Sequence, residues 1–224
     1  MSLQNRVTPF GELIATDARG TFMGNRGGVI HNSKQELTAR RWVNNRWIIC
    51  LLDFKGRRRP VMAPGCYTEL FFLDEATALA AGHRPCAECR RDDFNRFKTS
   101  WIEGNPQYGF TAKTSIDEID NVLHGERVTS EGGKITFKCP LGNLPDGTLF
   151  ALPGQPETAL ISWQNSMWRW TSQGYSETTT MREETLVDVL TPASTVNALR
   201  SGFIPEVAIN PSIYQDYAPQ SFCP

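Results

Sequence analysis

The sequence predicts an α+β fold, in which a mostly antiparallel sheet carries a helical Cys-x-x-Cys unit and a β-rich lobe with short helices follows. Three observations predict it. Short apolar segments punctuated by glycine, proline and asparagine occupy residues 7–73, which is typical of strands joined by turns. Helical periodicity replaces this pattern between residues 74 and 104. Strand-like segments return from residue 147 onward.

The apolar run over residues 47–52 is the clearest strand of the first half. It carries apolar side chains on both alternating faces, which predicts a central place in a sheet. Turn signals at Asn44-Asn45 and Lys55-Gly56 flank it and predict a meander. A further strand is expected over YTELFFL, residues 67–73.

Three helices follow in sequence. Asp74 is a good N-cap for a short alanine-rich helix, DEATALAAG, which Gly82 ends. Residues 90–104 predict a second helix with an aromatic face. Ser115, followed three residues later by a glutamate, predicts the start of a third helix over residues 115–128. We expect the acidic residues of its first turns, including Asp120, to be solvated.

The last third predicts four strands and one more short helix. The strands are expected over residues 147–153, 158–164, 166–171 and 185–192, and the helix over residues 194–201. We therefore expect a first α+β domain over residues 4–104, a β-rich lobe over 115–204 and an extended tail over 205–224.

Charge is divided unevenly between the two halves of this 224-residue chain. Residues 1–100 hold 16 of the 23 basic and 10 of the 24 acidic side chains, so the front is basic and the back is acidic. This division predicts two faces with different neighbours. The sequence has no run of about 18 apolar residues and no apolar signal segment at its start, so we expect a cytoplasmic protein that does not bind membranes. Reduced thiols in that compartment favour metal or redox roles for a Cys-x-x-Cys motif.

Cys86 and Cys89 form such a motif directly before the second helix. Two thiolates at this spacing can fill two positions of a tetrahedral zinc site, and the N-terminus of the following helix stabilises them. The same effect lowers a thiol pKa and suits a redox pair, and two inert reduced thiols are a third possibility. A thioredoxin-type motif follows a strand, whereas this one follows a helix, which favours the metal.

The stretch FFLDEATALAAGHRPCAEC, residues 71–89, resembles the second half of the zinc-binding module of Ada-type DNA methylphosphotriester repair proteins. The shared features are paired aromatics, an alanine-rich helix, a glycine stop, Arg-Pro and both cysteines. The resemblance implies that Cys86 and Cys89 are structural zinc ligands in a small Ada-like α+β module with a DNA-facing basic surface. The upstream cysteine pair of that family has no match here, so methyl transfer is not implied. The rest of the chain resembles a bacterial family without an assigned function.

Other side chains are candidates for the remaining zinc ligands. Cys50 lies in the most apolar strand, where core packing is an equal alternative. Cys66 precedes a strand in APGCYT and is placed for a ligand on a turn, and His31 offers an imidazole. Cys139 and Cys223 lie far along the chain and are expected to be unrelated. The predicted metal ligands are thus Cys86, Cys89, Cys66 and Cys50.

Arginines in the first half predict a phosphate-binding patch. The candidates for nucleic-acid contact are Arg40, Arg41, Arg57, Arg58, Arg59, Arg90 and Arg91. A solvated hairpin tip is the alternative for the three consecutive arginines. The pI near 6.3 argues against strong non-specific binding.

The sequence thus favours a zinc-stabilised protein that associates with DNA or another nucleic acid, with a structural role for the metal. The alternative is an enzyme acting on nucleic acid or a small molecule in a cleft between the lobes. It would use His31 or His124 with the glycine-arginine loop that contains Arg26, and these groups should then converge with a carboxylate. A third possibility is a protein–protein interaction module whose acidic C-terminal half binds the partner.

Overall fold

A computed structural model describes residues 2–57, 59–178 and 182–209. These residues form two six-stranded sheets and four α-helices. Both sheets are mostly antiparallel, which confirms the predicted α+β class. No helix in this part of the chain is both long enough and apolar enough to cross a bilayer.

The first sheet is built by the first half of the chain and has the order β2-β1-β5-β3-β4-β6. The β1–β5 and β4–β6 pairs are parallel, and the other pairs are antiparallel. Its strands are β1 (Gln4–Val7), β2 (Leu13–Ala15), β3 (Phe22–Arg26), β4 (Trp47–Cys50), β5 (Leu70–Phe72) and β6 (Arg84–Pro85).

The second sheet is antiparallel throughout and has the order β11-β10-β9-β8-β12-β7. Four of its strands were predicted, whereas β7 and β11 were not. Its strands are β7 (Phe137–Pro140), β8 (Leu149–Leu152), β9 (Gln155–Trp163), β10 (Ser166–Thr171), β11 (Gly174–Thr178) and β12 (Leu186–Val189).

All four predicted helices are present. Asp74 caps the first by accepting a hydrogen bond from the backbone N–H of Thr77 at 2.8 Å, and Ser115 caps the third. Gly82 ends the first helix with a φ of +85°, a conformation that glycine adopts without steric cost. The helices are α1 (Glu75–Ala80), α2 (Arg91–Gly104), α3 (Ile116–Arg127) and α4 (Ala193–Arg200).

Helix α1 lies between the two sheets and is buried along its whole length. Ala78 and Leu79 belong to the core under the first sheet. Ala76 and Ala80 belong to a separate core that contains side chains of β8 and β9. Alanine suits this position because its small side chain lets a helix pack closely against neighbours on every side.

The structure departs from the predicted meander over residues 40–62. Only β4 is a strand there, and the chain leaves the sheet at Leu51, which is exposed together with Leu52. The core under the first sheet also takes in Ile119 from α3 and Leu199 from α4. The predicted division into domains at 4–104 and 115–204 stays a prediction.

Candidate metal centre

The backbone after α1 sets the position of the Cys-x-x-Cys motif. The Gly82 and His83 N–H groups donate to Leu79 and Ala78 carbonyls, both at 2.9 Å, and close the helix. The chain then runs as β6 parallel to β4, and the Cys86 N–H donates to the Ile49 carbonyl at 2.9 Å. This pairing places Cys86 beside Cys50, the last residue of β4.

Three cysteines converge at this point. Each of Cys50, Cys86 and Cys89 offers its Sγ atom, and the three sulfur atoms all lie within 4.8 Å of one another. Cys50 and Cys86 are buried, and Cys89 is half-buried. The Glu88 N–H also donates to Cys86 Sγ at 3.4 Å. A cluster of this kind can hold a metal ion.

Mutual hydrogen bonding makes the three thiols unequal acids. Hydrogen bonds from the Cys50 and Cys89 thiols lower the pKa of Cys86. Its interaction with Cys86 raises the pKa of Cys50, and burial adds to that effect. For Cys89, the hydrogen bond with Cys50 acts to lower the pKa, but Cys86 and burial outweigh it and the pKa is raised. The cluster therefore carries one thiolate readily, and a nearby cation is needed to ionise all three.

The other predicted metal ligands lie apart from this trio. Cys66 is half-buried at the end of a turn, where its N–H donates to the Ala63 carbonyl at 3.0 Å. His31 is buried, and its ring nitrogens contact Thr68 Oγ1 at 2.6 Å and the Ala63 carbonyl at 3.3 Å. Those contacts engage both nitrogens. Cys139 lies in β7 of the second sheet, as expected for an unrelated thiol.

Arg90 is not available for nucleic-acid contact. Its side chain is 1% exposed and forms an ion pair with the equally buried Glu75 at 2.8 Å and another with Asp93 at 2.8 Å. The charge pattern suggested a solvated arginine because Arg91 follows it, and Arg91 is exposed. The structure thus removes Arg90 from the predicted phosphate-binding set.

The remaining arginines of that set occupy different surroundings. Arg57 is exposed and pairs with Glu88, between the two cysteines of the motif, at 2.7 Å. Arg59 is partly exposed and pairs with Glu69. Arg40 and Arg41 are exposed on the segment before β4. Arg58 lies outside the described residues.

The groups proposed for an enzyme do not converge as that hypothesis requires. Arg26 is buried, and its Nε donates to Nε2 of His83 at 3.4 Å, while His31 lies against Thr68. His124 accepts from Arg127 at its Nδ1, at 2.9 Å. None of these described contacts brings a carboxylate to Arg26.

A buried ion pair fastens β6, and with it the metal cluster, to α3. Arg84 donates two hydrogen bonds to Asp120, at 2.8 and 2.7 Å, and both side chains are at most 4% exposed. The expected solvated position of Asp120 was therefore wrong. The carboxylate faces inward because α3 packs its Ile119 and Leu123 side into the core under the first sheet.

Comparison with protein-family models, with curated proteins and with solved structures gives no significant match for this chain. The functional argument therefore rests on the geometry of the site, and the Ada-type resemblance of residues 71–89 remains a hypothesis.

We predict that Asp120→Asn lowers the free energy of unfolding by about 3–5 kcal/mol, because it leaves the Arg84 charge buried without a partner. Asp117→Asn on the same helix is the matched control. It breaks the exposed, two-toothed pair between Asp117 and Arg46, and we expect almost no change since exposed pairs contribute little. Urea unfolding followed by tryptophan fluorescence measures both. Equal effects of the two substitutions would contradict the assignment.

Proposed function

We propose that this chain is a zinc-stabilised protein that associates with nucleic acid. The observation that carries the zinc proposal is the convergence of Cys50, from the end of β4, with Cys86 and Cys89, which lie 36 and 39 residues further on. Soft thiolate ligands in a compact cluster select zinc among the common divalent ions. The proposed metal has a structural role.

The structural role follows from what the ligands connect. Cys50 ends a central strand, and Cys89 directly precedes Arg90, where α2 begins. A metal bound to both sides joins the sheet to the helix, so that metal-binding free energy adds to folding free energy. The protein's own groups supply the position of each sulfur, and the Glu88 N–H stabilises the thiolate of Cys86.

We assign the fourth ligand position to Cys66. Its neighbour Tyr67 is close enough to the Cys50 thiol for the two groups to influence each other electrostatically. The turn that carries Cys66 therefore runs past the cluster. Cys66 is also half-buried, so that a modest movement of this turn is sterically possible.

Metal content is the test of this site. We predict that the protein purified without chelator holds about one zinc per chain. Each of Cys50→Ser, Cys86→Ser and Cys89→Ser should lose that zinc and unfold at lower denaturant concentration, since a hydroxyl does not replace a thiolate ligand. Mass spectrometry of the metal after gel filtration gives the stoichiometry.

Two further substitutions sharpen that result. Cys139→Ser removes a half-buried thiol outside the cluster and should keep a full complement of zinc. Cys66→Ser should weaken zinc retention in the presence of a competing chelator, and an unchanged retention would assign the fourth position to another group. A wild-type protein without metal would sink the zinc proposal.

The nucleic-acid part of the proposal is supported by the surface that adjoins the cysteines. Arg57 lies over the ring of Phe54, at 5.4 Å from the centroid, and Arg59 lies over that of Tyr67, at 3.8 Å. Lys55 also contacts Phe54 at 5.0 Å. Cations next to partly exposed aromatic rings suit phosphate contact and base stacking. We call these five residues the basic rim.

We predict that a fluorescein-labelled single-stranded oligonucleotide binds the protein at low salt, and that binding weakens with rising salt. The double substitution Lys55→Ala with Arg57→Ala should lower the slope of log affinity against log salt by about 2, one for each lost phosphate contact. Both side chains are exposed, so that folding should be unaffected. Fluorescence anisotropy measures affinity and slope.

The matched control for the basic rim is Arg169→Ala. Arg169 is an exposed arginine on β10 of the second sheet and should bind as wild type does. An unchanged slope in the double variant, or an equal loss in Arg169→Ala, would remove the basic rim from the binding surface. Absence of binding at low salt would end the nucleic-acid proposal and leave the zinc proposal standing.

A further inference from the structure

A second group of charged side chains lies away from the cysteines, where four segments of the chain meet. Arg26 ends β3, His83 precedes β6, Arg127 ends α3 and Lys134 follows in the next loop. Arg26, His83 and Arg127 are at most 4% exposed, and Lys134 is half-buried. We call these four residues the cationic cluster.

Neutral groups surround the cations of this cluster. Arg26 donates to the Gly11 carbonyl at 2.8 Å, Arg127 donates to the carbonyls of Gly82 and Asn45 at 2.8 and 2.9 Å, and Lys134 donates to the Ala80 carbonyl.

Both guanidinium groups also lie over the indole of Trp47. The distances from the ring centroid are 4.0 Å for Arg26 and 3.9 Å for Arg127. Among the residues that the structure describes, no carboxylate forms an ion pair with Arg26, Arg127 or Lys134.

The protein neutralises its other buried arginines. Arg84 has Asp120, and Arg90 has Glu75. Asp120 is also the carboxylate near Arg127, but Arg84 already holds both of its oxygens. The cationic cluster therefore keeps a net positive charge inside the fold, an arrangement that is costly unless an anion compensates it.

The electrostatic consequence is visible in the pKa values of the cluster. Burial lowers the pKa of Arg26 to about 9, and Arg41 adds to the shift. Burial lowers the pKa of Lys134 to about 7, and Arg26 and Arg127 add to it. Each of these groups would hold its proton more firmly beside an anion.

Two buried hydrogen-bond donors in the cluster have no partner. They are Nδ1 of His83 and Nε of Arg127. Since Nε2 of His83 accepts from Arg26, the ring proton of the neutral imidazole resides on Nδ1. An unpaired buried donor is rare and indicates a missing partner that accepts hydrogen bonds.

We propose that the cationic cluster binds an oxyanion of the phosphate type, carried by a small molecule. The anion would accept from Nδ1 of His83 and Nε of Arg127 and pair with the Lys134 ammonium. Guanidinium and ammonium groups are the usual partners of phosphate oxygens. This site is independent of the proposed metal centre and of the basic rim.

The ligand would enter beside Trp42 and His124. Both side chains are half-buried, and their ring centroids are 5.3 Å apart. Trp42 also contacts Trp47, with ring centroids 6.0 Å apart. These rings form an apolar wall next to the cations, which suits the organic part of a phosphorylated small molecule.

Inorganic phosphate is the probe for this site. We predict that phosphate raises the thermal unfolding midpoint saturably, while sodium chloride at matched ionic strength does not, because only a ligand that binds the native state gives a saturable shift. Lys134→Met should weaken phosphate binding about tenfold or more in isothermal titration calorimetry. It should fold at least as stably as wild type in phosphate-free buffer, because it removes a buried charge without a counter-ion.

Lys138→Met is the matched control. Lys138 is an exposed lysine four residues further along the chain, paired with Asp188 at 2.7 Å, and its loss should leave phosphate affinity unchanged. Equal stabilisation by phosphate and chloride would overturn the proposal. Unchanged affinity in Lys134→Met, or equal losses in both lysine variants, would also overturn it.

Discussion

The fold depends on one constraint, the complete burial of α1 between the two sheets. A helix in that position cannot leave its end groups unpaired, and its polar neighbours meet this requirement. The Asp74 carboxylate accepts from Thr77 at its N-terminus and from the Ala208 N–H. Glu75 pairs with Arg90, which lies just after the cysteine motif. The segment that carries two of the cysteines is therefore held at both ends by buried charge and hydrogen bonds.

The cysteine cluster extends this constraint to the rest of the first sheet. β6 places Cys86 next to Cys50 through backbone pairing with β4, and the Arg84–Asp120 pair holds β6 against α3. A metal at the three sulfurs would thus close a frame whose other sides are already built. Removal of any one ligand leaves the frame intact and deletes only the metal-binding free energy, which is why the account treats the proposed zinc as a stabilising group.

Local patterns in the sequence predicted the parts of this arrangement that local forces determine. The cap at Asp74, the alanine-rich helix, its stop at Gly82 and the Cys-x-x-Cys motif were all predicted correctly, because each depends on neighbours a few residues away. Cys50 could not be assigned, since a buried thiol that packs and one that binds metal look the same in an apolar strand. Cys66 and His31 have suitable chemistry, but their distance from the motif is set by the fold.

Long-range pairing explains the rest of what the sequence did not reveal. β6 is only two residues long and exists because β4 lies beside it, so no pattern predicts it. Arg90 and Asp120 looked solvated because charged residues flank them, yet each has a buried partner. The cationic cluster combines side chains from four separate segments, and only the folded chain brings Arg26, Arg127 and Lys134 together.

Zinc K-edge X-ray absorption of the purified protein tests the central claim most directly. The account predicts a first shell of three or four sulfur atoms at about 2.3 Å from the metal, with one sulfur fewer in Cys86→Ser if any metal is retained. A shell of nitrogen and oxygen atoms alone, or a protein without bound metal, would contradict the assignment of Cys50, Cys86 and Cys89 as ligands.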